Sequence, residues 1–148
     1  MIDLSKIEGV TDRPIGEKCA LFGVYGKGLQ AARLTYFGLY TLQHRGQESS
    51  GISASNGKQI RTHKALGLVA HVYNEENFKD LKGHMAIGHN RYSTSGGSHD
   101  SHTQPVTSRR GPNDMLVLAH NGNLPEYDNL SKFLEEKGFY TDHLNDSE

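Results

Sequence analysis

The sequence predicts an α+β fold in which two antiparallel sheets stack face to face and helices cover the outside. Three observations carry this expectation. Strand-like segments follow one another without the helical crossover that parallel strands need. Asn56-Gly57, the strongest short turn signal in the chain, separates segments 51–55 and 59–66, which can pair as a hairpin. Met115-Leu116-Val117-Leu118-Ala119 is wholly apolar, a pattern that calls for cover on both faces of its strand.

Each element follows from local chemistry. Residues 1–18 form a polar leader, kept wet by Asp3, Lys6, Glu8, Asp12, Arg13, Glu17 and Lys18. It lacks the apolar stretch of a secretion signal or a membrane span. Cys19 to Gly26 reads as a strand. Gln30 to Arg45 reads as a helix, because Ala31, Leu34, Leu39 and Leu42 fall near a 3.6-residue period. His44 and Arg45 suit its negative end, and Gly46 suits a C-terminal cap. A short helix is expected over Glu75–Leu81, then a strand from Met85 to Gly88 that runs into His89-Asn90-Arg91-Tyr92. Ser93 to Gln104 is too polar and too rich in glycine for a core, and Arg109 to Asp114 reads as a turn. A last helix fits Glu126 to Lys137 and ends at Gly138. Internal repeats are absent.

Composition excludes several functions. The 148 residues suit one domain or part of a larger one. With 34% hydrophobic residues and 17 glycines, a modest core is attainable. A formal net charge of -1 argues against a nucleic-acid or membrane-surface binder driven by charge. One cysteine rules out an intramolecular disulfide framework and fits a reducing compartment, so the cytoplasm is expected. Nine histidines are scattered along the chain. His99 and His102 share a polar loop, but with no thiolate partner nearby they read as loop residues rather than metal ligands.

The solitary Cys19 stands where the leader meets the first strand. Most lone cysteines are buried small hydrophobes. Here, cleavage before Cys19 would place a thiol and a free amine on one residue, a minimal nucleophile and base. Reference pKa values of about 8.5 for a thiol and about 7.7–8.0 for an α-amine make proton transfer between them nearly thermoneutral. While Lys18 remains attached, that nitrogen is an amide and has no basicity to offer.

Four segments then stand together: Cys19-Ala-Leu-Phe-Gly-Val-Tyr-Gly26, Leu42-Gln-His-Arg-Gly-Gln-Glu-Ser-Ser-Gly-Ile52, Gly88-His-Asn-Arg-Tyr-Ser-Thr-Ser-Gly96 and Ala119-His-Asn-Gly-Asn-Leu124. In this order they resemble the glutaminase domain of the amidophosphoribosyltransferase family, a branch of the class II glutamine amidotransferases. The likeness runs from Cys19 to Glu148. Relatives that make glucosamine 6-phosphate carry a Leu-Glu-Tyr-Arg-Gly-Tyr pattern and a Thr-Arg-Trp block. The residues at Leu42–Gln47 and Asn90–Tyr92 differ from both, which favours the phosphoribosyl branch.

The resemblance implies an N-terminal-nucleophile αββα sandwich of two antiparallel sheets, here truncated at its C-terminal end. It implies that residues 1–18 are a propeptide and that 19–148 are an incomplete glutamine amidotransferase domain, with the phosphoribosyltransferase domain absent from this chain. Cys19 is then the catalytic nucleophile. Asn121 and Gly122 form the oxyanion site, although on the residues alone they read first as an ordinary Asn-Gly turn. Arg91 grips the α-carboxylate of glutamine, a task suited to its planar fork, although a lone arginine is more often in a surface ion pair. Asp146 accepts from the α-ammonium. The loop from Ser93 to Gln104 becomes a lid with Gly96 and Gly97 as hinges. His44 and Arg45 take no catalytic part.

Glutamine is the substrate implied for this domain, and phosphoribosyl pyrophosphate reaches only the missing one. Neither nucleic acid nor membrane is an expected partner, and the complete enzyme is expected to be a homo-oligomer. Magnesium belongs to the complete enzyme. Some members with a propeptide also carry an iron–sulfur cluster, whose cysteine ligands this chain lacks, so no cofactor is expected in it. The alternatives are an inactive binding or regulatory domain of the same fold, or an amidotransferase of the glucosamine 6-phosphate type.

Overall fold

In the computed structural model, residues 19–92, 102–111, 114–122, 124–140 and 147–148 are described. The leader, most of the expected lid, His99 and Asp146 lie outside the described residues. β1 (Ala20–Tyr25), β2 (Ser49–Ser55), β3 (Ile60–Leu66) and β4 (Met85–Arg91) form a four-stranded antiparallel sheet in the order β1-β4-β2-β3. β5 (Val106–Gly111) and β6 (Asp114–Leu118) pair antiparallel as a separate two-stranded sheet. The helices are α1 (Ala31–Thr41), α2 (Val69–Val72), α3 (Glu75–Asp80) and α4 (Tyr127–Glu136). The α+β expectation with antiparallel sheets therefore stands.

Strand alternation divides the four-stranded sheet into two faces. Ala20, Phe22, Ile52, Ala54, Ala86 and Asn90 lie toward α1, which contributes buried Ala31, Ala32, Thr35 and Leu39. Gly88 lets the helix come this close. A Cβ there would stand 2.6 Å from Thr35 Cγ2 and 2.7 Å from Leu39 Cδ1. The C-terminal end of α1 is then bound to the sheet by polar groups. Asn90 Nδ2 donates to the Leu39 carbonyl at 2.8 Å, satisfying one of the orphan acceptors of a helix end. Ser50 Oγ donates to Asn90 Oδ1 at 2.9 Å and lies 3.1 Å from the Tyr73 hydroxyl. Burial raises the pKa of the Tyr73 phenol well above its ordinary value, with the Ser50 contact opposing that shift.

Several expectations need correction. The helix expected over Gln30–Arg45 stops at Thr41, and Gln43–Arg45 forms a single 3₁₀ turn instead. Gly46 is extended (φ -157°, ψ 121°) and is no left-handed cap. Its smallness serves contact, since a Cβ would stand 2.7 Å from the Asn90 carbonyl oxygen at the end of β4. Gln43 ties this turn down, donating to the Gly46 carbonyl at 2.5 Å and accepting from the Val69 N–H at 2.6 Å. That second bond caps α2, a helix too short for any period to reveal.

The expected turn over Arg109–Asp114 is instead largely strand. Val106–Gly111 pairs with Asp114–Leu118. Its polar Thr-Ser-Arg-Arg run hid β5, and Thr107, Ser108 and Arg109 are all exposed. The apolar run of β6 is likewise not buried on both faces, with Leu116 52% and Leu118 44% exposed. Val117 faces the other sheet, sharing a groove with Tyr25, Ile60, Met85 and Ile87. The end of the polar loop is also buried, at Thr103 and Gln104. Lys64 Nζ holds it by the Thr103 carbonyl at 2.6 Å and the Pro105 carbonyl at 3.4 Å. Gly51 leaves room for it, since a Cβ there would lie 2.1 Å from the Gln104 carbonyl oxygen.

The hairpin at Asn56-Gly57 forms as expected, with Gly57 at φ +88°. Asn56 Oδ1 accepts from the N–H groups of Lys58 and Gln59, both at 2.9 Å. The short helix also forms, entered through a reciprocal Asn74–Asn77 cap. α4 runs over Tyr127–Glu136, and Gly138 follows it at φ +84°.

Leu39 is fully buried between α1 and the sheet. Leu39→Ala is expected to lower unfolding free energy by about 2–5 kcal/mol, read as a shift of the urea midpoint.

Candidate functional site

The face of the four-stranded sheet turned away from α1 gathers the chemistry. Leu21 and Gly51 both pair with His89, and Ser49 pairs with Arg91. Extending the β1–β4 register one residue beyond Ala20 and Asn90 places Cys19 beside Arg91. Cys19, His89 and Arg91 thus share one face by strand periodicity alone.

Cys19 is half-buried. The Tyr92 N–H donates to its sulfur at 3.5 Å, and the thiol reaches the Tyr92 carbonyl at 4.0 Å. The strand end opposite thus holds the thiol through the Tyr92 main chain.

Arg91 is tethered at two points. Nε donates to Glu48 Oε2 at 3.3 Å, and Nη1 donates to the His102 carbonyl at 3.2 Å. Among the described residues Nη2 has no partner. The pair is mostly shielded, with side-chain exposures of 24% for Arg91 and 11% for Glu48. Glu48 Oε1 is buried without a partner among the described residues. A shielded pair of this kind fixes the plane of the guanidinium, whereas a surface pair would leave it to wander.

His89 is 1% exposed. Its Nε2 donates to the His120 carbonyl at 3.1 Å, since a carbonyl can only accept, while Nδ1 has no partner among the described residues. Burial pushes its imidazole down to about 4; the His120 carbonyl opposes this, and Arg91 and His120 add to it. The ring is therefore neutral at physiological pH. The other main-chain group of His120 is held as well, its N–H donating to Gln104 Oε1 at 2.6 Å.

Asn121 and Gly122 follow directly and are exposed. A Cβ on Gly122 would lie 2.7 Å from His120 Nε2, so the turn is built tightly against that ring. No described contact joins Asn121 or Gly122 to Cys19. The bond from His89 to His120 ties their loop to the face that Cys19 shares. Asp146 lies outside the described residues, and its neighbour Ser147 is buried.

Glu48, His89 and Gln104 are site residues that sequence reasoning missed. A signal existed for His89, which stands two residues before Arg91 on one strand and so must share its face.

Among the described residues, no group of three or more His, Cys, Asp or Glu is placed to hold a metal ion. A single cysteine cannot supply the thiolates of an iron–sulfur cluster, so that group does not fit this chain. No helix among the described residues is long and apolar enough to cross a membrane.

No family model matches the chain. Known proteins do. The amidophosphoribosyltransferase of Synechocystis sp. is 47% identical over 129 residues, covering 86% of this chain and 25% of that protein. That of Bacillus subtilis is 40% identical over 145 residues, covering 98% of this chain and 29% of that protein. Among solved structures, the glutamine phosphoribosylpyrophosphate amidotransferase of B. subtilis, complexed with ADP and GMP, superimposes with a TM-score of 0.72 at 41% identity. A structure described as the allosteric regulatory enzyme of purine biosynthesis gives 0.75 at 43%. Each alignment covers 80% of this chain and 25% of the solved one. The chain is homologous to part of the amidophosphoribosyltransferases and spans between 25% and 29% of the relatives named here.

The His89 shift gives a pH dependence with a defined sign. Its folded pKa of about 4 lies below the ordinary 6.5, so the unfolded chain binds the proton first. This stabilisation is complete above pH 6.5 and is lost as pH falls toward 4, by on the order of 3 kcal/mol. Urea unfolding at stepped pH should show that slope, and His89→Gln should flatten it.

Proposed function

We propose that this chain is the glutamine-hydrolysing part of an amidophosphoribosyltransferase, with Cys19 as its nucleophile. The observation that carries the reading is the shared sheet face. The only thiol of the chain stands beside an oriented guanidinium, and a buried histidine holds the Asn121-Gly122 loop to that same face.

The chemistry runs in two displacements. Cleavage of the Lys18–Cys19 bond frees the α-amine of Cys19, which takes the thiol proton, directly or through a water. The thiolate adds to the side-chain carbonyl of glutamine. The Asn121 side-chain amide and the Gly122 N–H stabilise the resulting oxyanion. The α-ammonium of Cys19 then passes that proton to the former amide nitrogen of glutamine, which leaves as ammonia, and a glutamyl thioester remains on Cys19. Water then adds to the thioester, releasing glutamate and restoring the thiol. Arg91 holds the α-carboxylate of glutamine through Nη2 and the remaining Nη1 hydrogen, while Glu48 and the His102 carbonyl keep the fork in plane. Asp146 receives the α-ammonium.

In this proposal the ammonia passes to a phosphoribosyltransferase domain. There it displaces pyrophosphate from phosphoribosyl pyrophosphate and gives phosphoribosylamine, the first committed compound of de novo purine nucleotide synthesis. The setting is the cytoplasm and the complete enzyme is a homo-oligomer. None of the residues described here is assigned to that second reaction.

Intact mass of the purified, glutamine-hydrolysing protein tests the central step. The expected N-terminus is Cys19, and active material that retains residues 1–18 overturns the mechanism. A glutamine-like electrophile such as a diazo ketone should add one equivalent to Cys19. No adduct on correctly folded protein points to a binding domain instead. Asn121→Ala should lower glutaminase turnover by roughly 10²–10³-fold. Arg91→Lys should raise KM for glutamine about 10–100-fold, since one bidentate charged contact is reduced to a single point.

A further inference from the structure

Asn121 and Gly122 are exposed, yet the residue before them is fixed from both sides by buried groups. The N–H of His120 belongs to the peptide plane shared with Ala119, and its carbonyl to the plane shared with Asn121. Gln104 Oε1 accepts from the first at 2.6 Å, and His89 Nε2 donates to the second at 3.1 Å. Peptide units are rigid, so pinning the planes on both sides of one Cα sets φ and ψ of that residue. The direction of the Asn121 N–H and the placing of the Asn121 Cα follow directly.

The two anchors come from separate parts of the chain. His89 is on β4, two residues before Arg91, and is 1% exposed. Gln104 is 6% exposed and stands in the segment before β5. Lys64 holds that segment by the Thr103 carbonyl at 2.6 Å, and only glycine at position 51 leaves room for the Gln104 carbonyl. The tip is thus exposed and its foundation is buried. A two-residue turn that only had to reverse the chain would need neither anchor.

We propose that His89 and Gln104 are positioning residues that clamp the His120 backbone and so present Asn121 and Gly122 as a preorganised pair of donors. The inference rests on the glutaminase reading for its consequence, though the clamp itself does not. Preorganised donors stabilise a developing oxyanion because they need no rearrangement when charge appears. The neutral state of His89 fits this work, since Nε2 carries its proton toward a carbonyl across the physiological pH range.

The test uses the full chain and two pairs of variants. Gln104→Met keeps length but removes the acceptor, whereas Gln104→Glu restores one. His89→Leu removes the donor, whereas His89→Gln brings an amide N–H toward the place of Nε2. Amide hydrogen exchange at His120 should speed up about tenfold or more in Gln104→Met, with the core amides of β1 and β4 unchanged. Glutaminase kcat should fall about tenfold to a hundredfold in Gln104→Met and His89→Leu, as a small misplacement of catalytic groups produces. KM should stay within about threefold, and Gln104→Glu and His89→Gln should recover most of kcat. Alkylation of Cys19 by iodoacetamide forms no oxyanion, so its rate should not change.

Unchanged exchange at His120 overturns the clamp. Faster exchange with undiminished kcat overturns the positioning role. Loss of kcat, KM and thiol reactivity together with the melting temperature, without recovery in the conservative variants, also overturns it and marks a general packing defect. If the parent chain shows the exchange response but hydrolyses no glutamine, the glutaminase reading falls and the clamp stands.

Discussion

β4 pairs with β1 on one side and β2 on the other, and the two-residue period of this central strand organises everything around it. Gly88 and Asn90 point toward α1, one by leaving space and the other by binding a helix carbonyl. His89 and Arg91 point the opposite way, into the candidate site. A slip of one residue would drive an imidazole and a guanidinium into the helix interface and leave the helix end unbound. Structure and site are therefore specified by the same four consecutive residues. The register tolerates no drift because both faces reject the wrong side chains.

Charge is handled in the site with the same restraint. The cation of Arg91 is shielded but matched by Glu48, and its plane is set by a main-chain carbonyl. His89 is kept neutral by burial. Removing Glu48 alone would leave a shielded cation unmatched, which is far more damaging than losing an exposed pair. The arrangement thus fixes the Arg91 cation on that face, leaves His89 uncharged two residues away, and ties Lys64 on the same face to main-chain carbonyls.

The elements legible in the sequence were those whose signal is local. The Asn56-Gly57 hairpin, the Asn74-led helix and the β1 strand each announce themselves within a few residues. α2 is only four residues long and its first N–H donates to distant Gln43, so no window around it carries the information. β5 was hidden by its polar residues, of which Thr107, Ser108 and Arg109 stand exposed. The expected double burial of β6 failed as well, since Leu116 and Leu118 share one face of the strand and both are exposed. Within the site, Cys19, Arg91, Asn121 and Gly122 stand in recognisable blocks. Glu48, His89 and Gln104 act on partners 43, 31 and 16 residues away. Such pairings are made by the sheet and cannot be read before it is built.

The buried phenol of Tyr73 has a spectroscopic consequence. The chain has seven tyrosines and no tryptophan, so phenolate absorbance in alkali is free of indole background. Tyr73 resists ionisation while it faces Ser50 beneath α1, whereas the same group in an unfolded chain loses its proton near pH 10.0. Alkali therefore pulls this fold open above that value, because only the unfolded chain releases that proton freely. In an alkaline titration the Tyr73 phenol should therefore ionise only as the fold opens around it.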